Sequence, residues 1–257
     1  MTRPSALTAA DVGVRPEPDA GAGIDAHLIG LTAPDTAEFE QYLVLRQAIE
    51  RAHAASGLSV LGVTSATTDD GKTTTAINLA AALARNPLAR VLLVDADLRV
   101  PSVAAQLGGG EWERPGLAEL LSDPAVAMAD AVRRRPAFNL SVLTAGQLNG
   151  ANPYELFQSA RFGAMVADAR AAYDYVVIDT PPVVPVPDCR LIEAGVDGFL
   201  IVVAAHRTPR RLLAEALSIL GPEKSLGLVF NRADRPFRGY YNAYYGYGPT
   251  ARRRASR

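Results

Sequence analysis

The chain has 257 residues, 49% of them apolar, with 26 Lys and Arg against 27 Asp and Glu. That length and apolar share supply a sizeable core, while a net charge of -1 gives no field that would draw the whole molecule to nucleic acid. One cysteine, Cys189, excludes an internal disulfide and a thiolate zinc cluster; His27, His53 and His206 share no metal-ligand spacing; and no apolar run approaches the roughly 18 residues of a membrane span.

Residues 1–33 are rich in Ala, Gly, Pro and Asp and lack apolar periodicity, which predicts a disordered tail; the start also lacks the features of a signal peptide. A cytoplasmic protein is expected. At Pro34-Asp35 the pattern changes. Asp35, with Glu38 three residues on, is placed to cap a helix running to about His53, with Phe39, Tyr42, Leu43 and Ile49 on one face.

Val60–Val63 form a short apolar run suited to a buried strand. Small and acidic residues follow, including Thr68, Asp69 and Asp70, then Gly71-Lys72-Thr73-Thr74 and an alanine-rich helical stretch. A strand, a tight loop and an immediate helix start leave several backbone N–H groups unpaired and converging on one point, which a polyphosphate can satisfy. Lys72 would add a point charge between the outer phosphates. The Thr73 hydroxyl is placed to ligate Mg²⁺, and Thr74 adds a hydroxyl near the inner phosphates. The strict pattern starts with Gly, and here that position is Ala66. The bland alternative is an ordinary strand-to-helix turn that happens to contain Gly-Lys-Thr.

Val91–Val94 form a second buried strand ending in Asp95-Ala96-Asp97-Leu98-Arg99. Strand periodicity puts Asp95 and Asp97 on one side, where a parallel strand ends and ligands of open α/β sheets sit. Two carboxylates there repel unless a cation lies between them, and Mg²⁺ with Lys72 would serve. A turn with two solvated acids is the competing reading. Residues 102–139 read as loops and short helices, broken at Gly108-Gly109-Gly110, with helical pieces at Gly116–Leu121 and Ala125–Arg134. Leu140–Leu143 is a third strand.

Asn152-Pro153 starts a helix, with Leu156, Phe157, Ala160, Val166 and Ala169 as its buried face. Tyr175–Ile178 is a fourth strand ending in Asp179-Thr180-Pro181-Pro182, an acid at a strand tip placed to hold Mg²⁺ directly or through water. Phe199–Ala204 is a fifth strand, followed by Thr208-Pro209 as cap and first turn of a helix to Leu220. Leu226–Phe230 is a sixth, ending in Asn231, whose amide suits an adenine edge. The alternation predicts an α/β domain over residues 34–236, a mostly parallel β-sheet with helices on both faces.

Residues 237–257 form a Tyr/Arg-rich tail in which Tyr240, Tyr241, Tyr244, Tyr245 and Tyr247 cluster, and residues 232–257 hold seven arginines against the single acid Asp234. Such a tail could stack on single-stranded nucleic acid, lie on acidic lipids, or present phosphoryl acceptors.

Taken together, VTSATTDDGKTTTAINLA, VLLVDADLRVPS, NPYELFQS, YDYVVIDTPPVVPVPD and the terminal tyrosines resemble the bacterial tyrosine autokinases of capsule and exopolysaccharide systems, over about residues 36–247. The resemblance implies a deviant phosphate-loop (P-loop) NTPase fold and the cofactors ATP and Mg²⁺. It implies that Lys72 and Thr73 bind phosphate and Mg²⁺, that Asp95 and Asp97 form the second acidic motif, and that Asp179 sits in the third. Asp97 would orient or deprotonate an incoming tyrosine, and Arg99 would hold the product or transferring phosphate. It further implies a separate transmembrane adaptor of the polysaccharide co-polymerase type, a position at the inner face of the membrane, and phosphorylation between subunits of a homo-oligomer. The family's ring contact often reads Glu-x-x-Arg-x-x-Arg; Glu40 and Arg46 match, and the middle position is Leu43. Two alternatives remain: an ATPase that switches between monomer and dimer, whose loops usually carry an early second lysine where this one has Thr67, Thr68, Asp69 and Asp70, and a non-catalytic nucleotide-gated subunit of the export machinery.

Overall fold

Strands β1 (Val60–Ser65), β2 (Val91–Asp95), β4 (Leu140–Leu143), β5 (Tyr175–Asp179) and β6 (Gly198–Ala204) are apolar without alternation, because helices cover both of their faces. In the computed structural model, which describes residues 23–109 and 115–233, these pair with an antiparallel edge strand β3 (Arg133–Arg135) and a parallel edge strand β7 (Ser225–Asn231). The strand order is β3-β4-β2-β5-β1-β6-β7. Helices α1 (Ile29–Thr32), α2 (Ala37–Ser56), α3 (Lys72–Ala84) and α4 (Val103–Gln106) precede α5 (Leu117–Ser122) and α6 (Met128–Ala131). Then come α7 (Pro153–Gln158), α8 (Ala160–Ala172), α9 (Asp188–Ile192) and α10 (Arg210–Leu220).

Two cores flank the sheet. Leu61, Val63, Leu93, Val177, Leu200 and Val202 pack against α3, and the alternate residues Val60, Leu92, Val94, Val176 and Ile178 face the side of α5, α8 and α9. Gly62 lets β1 pack against an aromatic ring: a Cβ there would lie 2.4 Å from Phe199 Cδ1. The α/β fold read from the sequence is the fold observed.

Several local expectations are corrected. Residues 23–33, read as part of a tail, lie against α3. Leu28 is fully buried, Gly30 N–H donates to Asn78 Oδ1 at 2.8 Å, and Asn78 Nδ2 donates to His27 O at 3.0 Å. A few apolar anchors (Ile24, Leu28, Leu31) and a buried amide hold the segment, so composition alone missed it. The cap of α2 is Thr36, whose Oγ1 accepts from Phe39 N–H, one residue later than Asp35, and the helix extends to Ser56, where Gly57 ends it in the left-handed region at φ 75°. The expected helical piece at Ala125–Arg134 shrinks to α6, and Arg133–Arg135 instead pair with β4 as an edge strand, with Arg134 exposed and Arg135 buried and donating to Leu107 O at 3.3 Å. The helix expected from Pro153 breaks at Ser159, whose ψ of 149° is extended, and Ala160 lies exposed rather than in the core.

Candidate active site

The loop after β1 is shaped by backbone freedom at its end. Gly71 has φ 91°, and a Cβ on it would lie 2.0 Å from Asn231 Nδ2. Helix α3 begins at Lys72 with no side chain capping it, so its first-turn N–H groups face the loop as an anion site. Thr68 and Asp69 are exposed, Asp69 in the left-handed region at φ 62°, whereas Asp70 is buried. Thr74 Oγ1 donates to Gln106 Oε1 at 3.2 Å.

The sheet register brings the acids together. Asp95, last in β2, pairs directly with Asp179, last in β5, and Val63 of β1 is the neighbour of Asp179 on the other side. Asp95 and Asp179 are fully buried and Asp97 nearly so. Lys72 Nζ lies 2.8 Å from Asp97 Oδ2 and 3.5 Å from Thr73 Oγ1. Thr73 Oγ1 donates to Asp179 Oδ2 at 2.7 Å and accepts from Ser102 Oγ at 3.0 Å. Asp95 accepts from the backbone N–H groups of Ser102 and Val103 at 3.2 and 3.1 Å, and from that of Asp97 at 3.2 Å. Asp97 Oδ1 accepts from Val100 N–H at 3.0 Å, so the chain after β2 folds round its own two carboxylates.

Burial, reinforced by the charge of Asp179, raises the Asp95 carboxyl to about 8. Burial also raises Asp179, to about 6, against the opposing pull of Lys72 and the Thr73 hydrogen bond. Burial by itself would lower Lys72, but Asp179, Asp97 and Asp95 together outweigh it and its ammonium is held above the ordinary range. Three carboxylates therefore converge on a single ammonium. Asp179 Oδ1 is buried without a hydrogen-bond partner among the described residues. That excess negative charge and that orphan oxygen suit a divalent cation. Among the described residues no three acidic, imidazole or thiolate side chains are placed to hold a metal ion by themselves. Mg²⁺ needs no such cage, since it keeps several waters and takes phosphate oxygens.

Lys72, Thr73, Asp95, Asp97 and Asp179 are thus gathered as the sequence suggested. Arg99 is not turned to this pocket: its Nε and Nη2 donate to Asp188 Oδ2 and Oδ1 at 2.7 and 2.8 Å, and Asp188 is fully buried. Asn231 has both ends of its amide engaged, Nδ2 on Asp70 O at 3.0 Å and Oδ1 on Arg232 N–H at 2.8 Å. Thr208, expected to cap α10, instead donates to Asp70 Oδ1 at 2.7 Å. Sequence reasoning missed Ser102, Gln106, Asp188 and Thr208 as neighbours of the site; only Ser102, close behind the acidic motif, carried any local signal. Cys189 is fully buried, and burial pushes its thiol up to about 11. Arg46 of the ring pattern bonds Glu50 Oε1 at 2.7 Å and Ala82 O at 3.3 Å. Tyr240, Tyr241, Tyr244, Tyr245 and Tyr247 lie outside the described residues. No helix among the described residues is long and apolar enough to cross a membrane.

The family described as AAA domain matches residues 63–206, which contain the loop and all three acids. Tyrosine-protein kinase YwqD of Bacillus subtilis (strain 168) is 34% identical over 228 residues, 88% of this chain and 94% of that protein. Succinoglycan biosynthesis transport protein ExoP of Rhizobium meliloti (strain 1021) is 33% identical over 224 residues, 85% of this chain but 28% of the longer protein. Among solved structures, that of the chimerical protein CapA2B2 superposes with a TM-score of 0.75 at 29% identity, over 82% of this chain and 93% of that one. Fold, loop and matching relatives agree: the chain belongs to the AAA domain family and, within it, to the bacterial tyrosine-protein kinases.

Proposed function

We propose that this chain is an ATP- and Mg²⁺-dependent protein-tyrosine kinase that phosphorylates the tyrosines of its own C-terminal segment, Tyr240, Tyr241, Tyr244, Tyr245 and Tyr247, and thereby regulates exopolysaccharide or capsule polymerisation and export. The observation that carries the reading is the Lys72–Asp97 ion pair lying beside the Thr73–Asp179 hydrogen bond at the tips of adjacent strands.

The residues divide the work. The N–H groups opening α3 and the Lys72 ammonium bind the phosphates of ATP. Thr73, Asp179 and Asp95 would hold Mg²⁺, which when bound neutralises charge on the phosphate oxygens. Lys72 spends the nucleotide-free state on Asp97; drawn to phosphate, it frees Asp97 Oδ2 as an acceptor. Asp97 then orients the tyrosine phenol and takes its proton as the phenol oxygen bonds to the γ-phosphorus and the bond to the β,γ-bridging oxygen breaks, giving phosphotyrosine and ADP. Positioning and charge neutralisation supply most of the rate. Arg99 acts from its bond to Asp188, bracing the loop that carries Asp97. The similarity to ExoP, a transport protein more than three times as long as the matching region, supports a membrane adaptor that activates the kinase and holds it at the inner face of the membrane. Transfer from one copy to the tail of another calls for a homo-oligomer.

Incubating the purified chain with Mg-ATP and a candidate adaptor tests this. Phosphotyrosine that vanishes in Lys72→Met, and gives way to ATP hydrolysis alone when all five tail tyrosines become Phe, is the expected result. ATP turnover without phosphotyrosine under any condition refutes it and favours a nucleotide-driven switch.

A further inference from the structure

Asp70 is an acid in the phosphate loop with only 2% of its surface exposed, although Thr68 and Asp69 before it are exposed. Its Oδ1 accepts from Thr208 Oγ1 at 2.7 Å, and Thr208 Oγ1 in turn accepts from the Ala204 backbone N–H at 2.9 Å. That second bond fixes the hydroxyl, so its proton points at Asp70. The carbonyl of Asp70 accepts from Asn231 Nδ2 at 3.0 Å, and Asp70 Oδ2 is buried without a partner among the described residues. Two elements beyond the loop, the turn after β6 and the end of β7, therefore grip the residue two places before Lys72.

The loop needs such a grip. Asp69 at φ 62° and Gly71 at φ 91° flank Asp70 in the left-handed region, and a non-glycine residue enters that region at a cost that surrounding structure must offset. Phosphate binding demands that the loop N–H groups already converge, since ordering them at the moment of binding weakens affinity. We propose that Thr208 is a positioning residue of the nucleotide site: acting through Asp70, with Asn231 as the second hold, it keeps the phosphate loop in its binding shape. The inference rests on the loop's role as the nucleotide site, and it assigns to the turn after β6 control of nucleotide affinity.

Thr208→Val keeps shape and volume but leaves the Asp70 carboxylate buried with neither oxygen partnered, so the loop shifts to hydrate it. Lys72–Asp97 and Thr73–Asp179 are made by other residues and stay in place. Equilibrium titration of the full chain with a fluorescent ADP analogue and Mg²⁺ should show affinity about tenfold weaker in Thr208→Val and near wild type in Thr208→Ser, which restores the donor. In kinase assays KM for ATP should rise by about the same factor, with kcat within about twofold. The double variant Thr208→Val with Asp70→Ala separates positioning from burial strain and guards against a single variant that fails to fold. Removing both partners restores stability but not the grip, so its melting temperature should return towards wild type while nucleotide affinity stays low. Wild-type affinity in Thr208→Val, or in the double variant, overturns the inference. A wild-type chain that binds no nucleotide overturns the nucleotide reading itself, a result distinct from either.

Discussion

Arg99 and Asp188 give the sharpest test of how the acidic loop is held. The Asp188 side chain is 0% exposed and that of Arg99 37% exposed, joined by two bonds of 2.7 and 2.8 Å. Arg99→Met removes one partner of a buried, bidentate pair. Full burial of both members would make that cost about 3–5 kcal/mol, and because water reaches the arginine side we expect about 2 kcal/mol. For a domain of this size that lowers Tm by about 4–8 °C. Differential scanning calorimetry reads the shift directly, and Arg99→Met with Asp188→Leu should recover most of it, since replacing a buried pair by apolar groups is close to neutral. Phosphotransfer measured at about 20 °C below the melting temperature should fall only a few-fold, because the guanidinium is bound to Asp188 and not to the Lys72 pocket. A variant that melts with the wild type yet loses about a hundredfold in phosphotransfer would refute this and make Arg99 a phosphate ligand.

Three further outcomes follow from the same geometry. Gly62→Ala drives a methyl to 2.4 Å from the Phe199 ring and should destabilise by about 1–3 kcal/mol in urea titration, leaving nucleotide affinity unchanged. Burial raises the Asp95 and Asp179 carboxyls from the ordinary 3.8 to about 8 and about 6, so from about pH 4 up to those values the folded protein binds more protons than the unfolded chain. Metal-free protein should therefore lose stability as pH rises from about 4 to 8, and Asp95→Asn should flatten that slope in thermal melts. Gly71→Ala, with φ at 91° and Asn231 Nδ2 at 2.0 Å from the new Cβ, should weaken nucleotide binding more than tenfold by titration, and adding Asn231→Ala should not restore it, because the strained φ remains and the loop also loses its hold on Asp70 O.

The sheet was legible because strands buried on both faces show continuous apolar runs, and the acids were legible because charge at the tip of such a run is conspicuous. What escaped was non-local. Arg99 and Asp188 are 89 residues apart in the chain, and Thr208 and Asp70 are 138 apart, so no window of sequence joins them. Thr208-Pro209 satisfied a local capping rule, and the stronger claim came from a buried carboxylate in the loop after the neighbouring strand. Arg133–Arg135 carry no strand signal of their own; an edge next to β4 recruits their backbone. Asn231 was found, but for its amide rather than its partner: the loop backbone holds what an adenine edge was expected to take.

The short segment that latches onto Asn78 reaches further than its size suggests. Asn78 lies in the helix that Lys72 begins, and Asp25 N–H also donates to the carbonyl of Gln106, whose side chain takes the Thr74 hydroxyl. Cutting the chain at residue 34 would take the His27 and Gly30 partners from the buried Asn78 amide and loosen two neighbours of the phosphate grip at once. Trimming this protein at its front is thus a change to its catalytic floor.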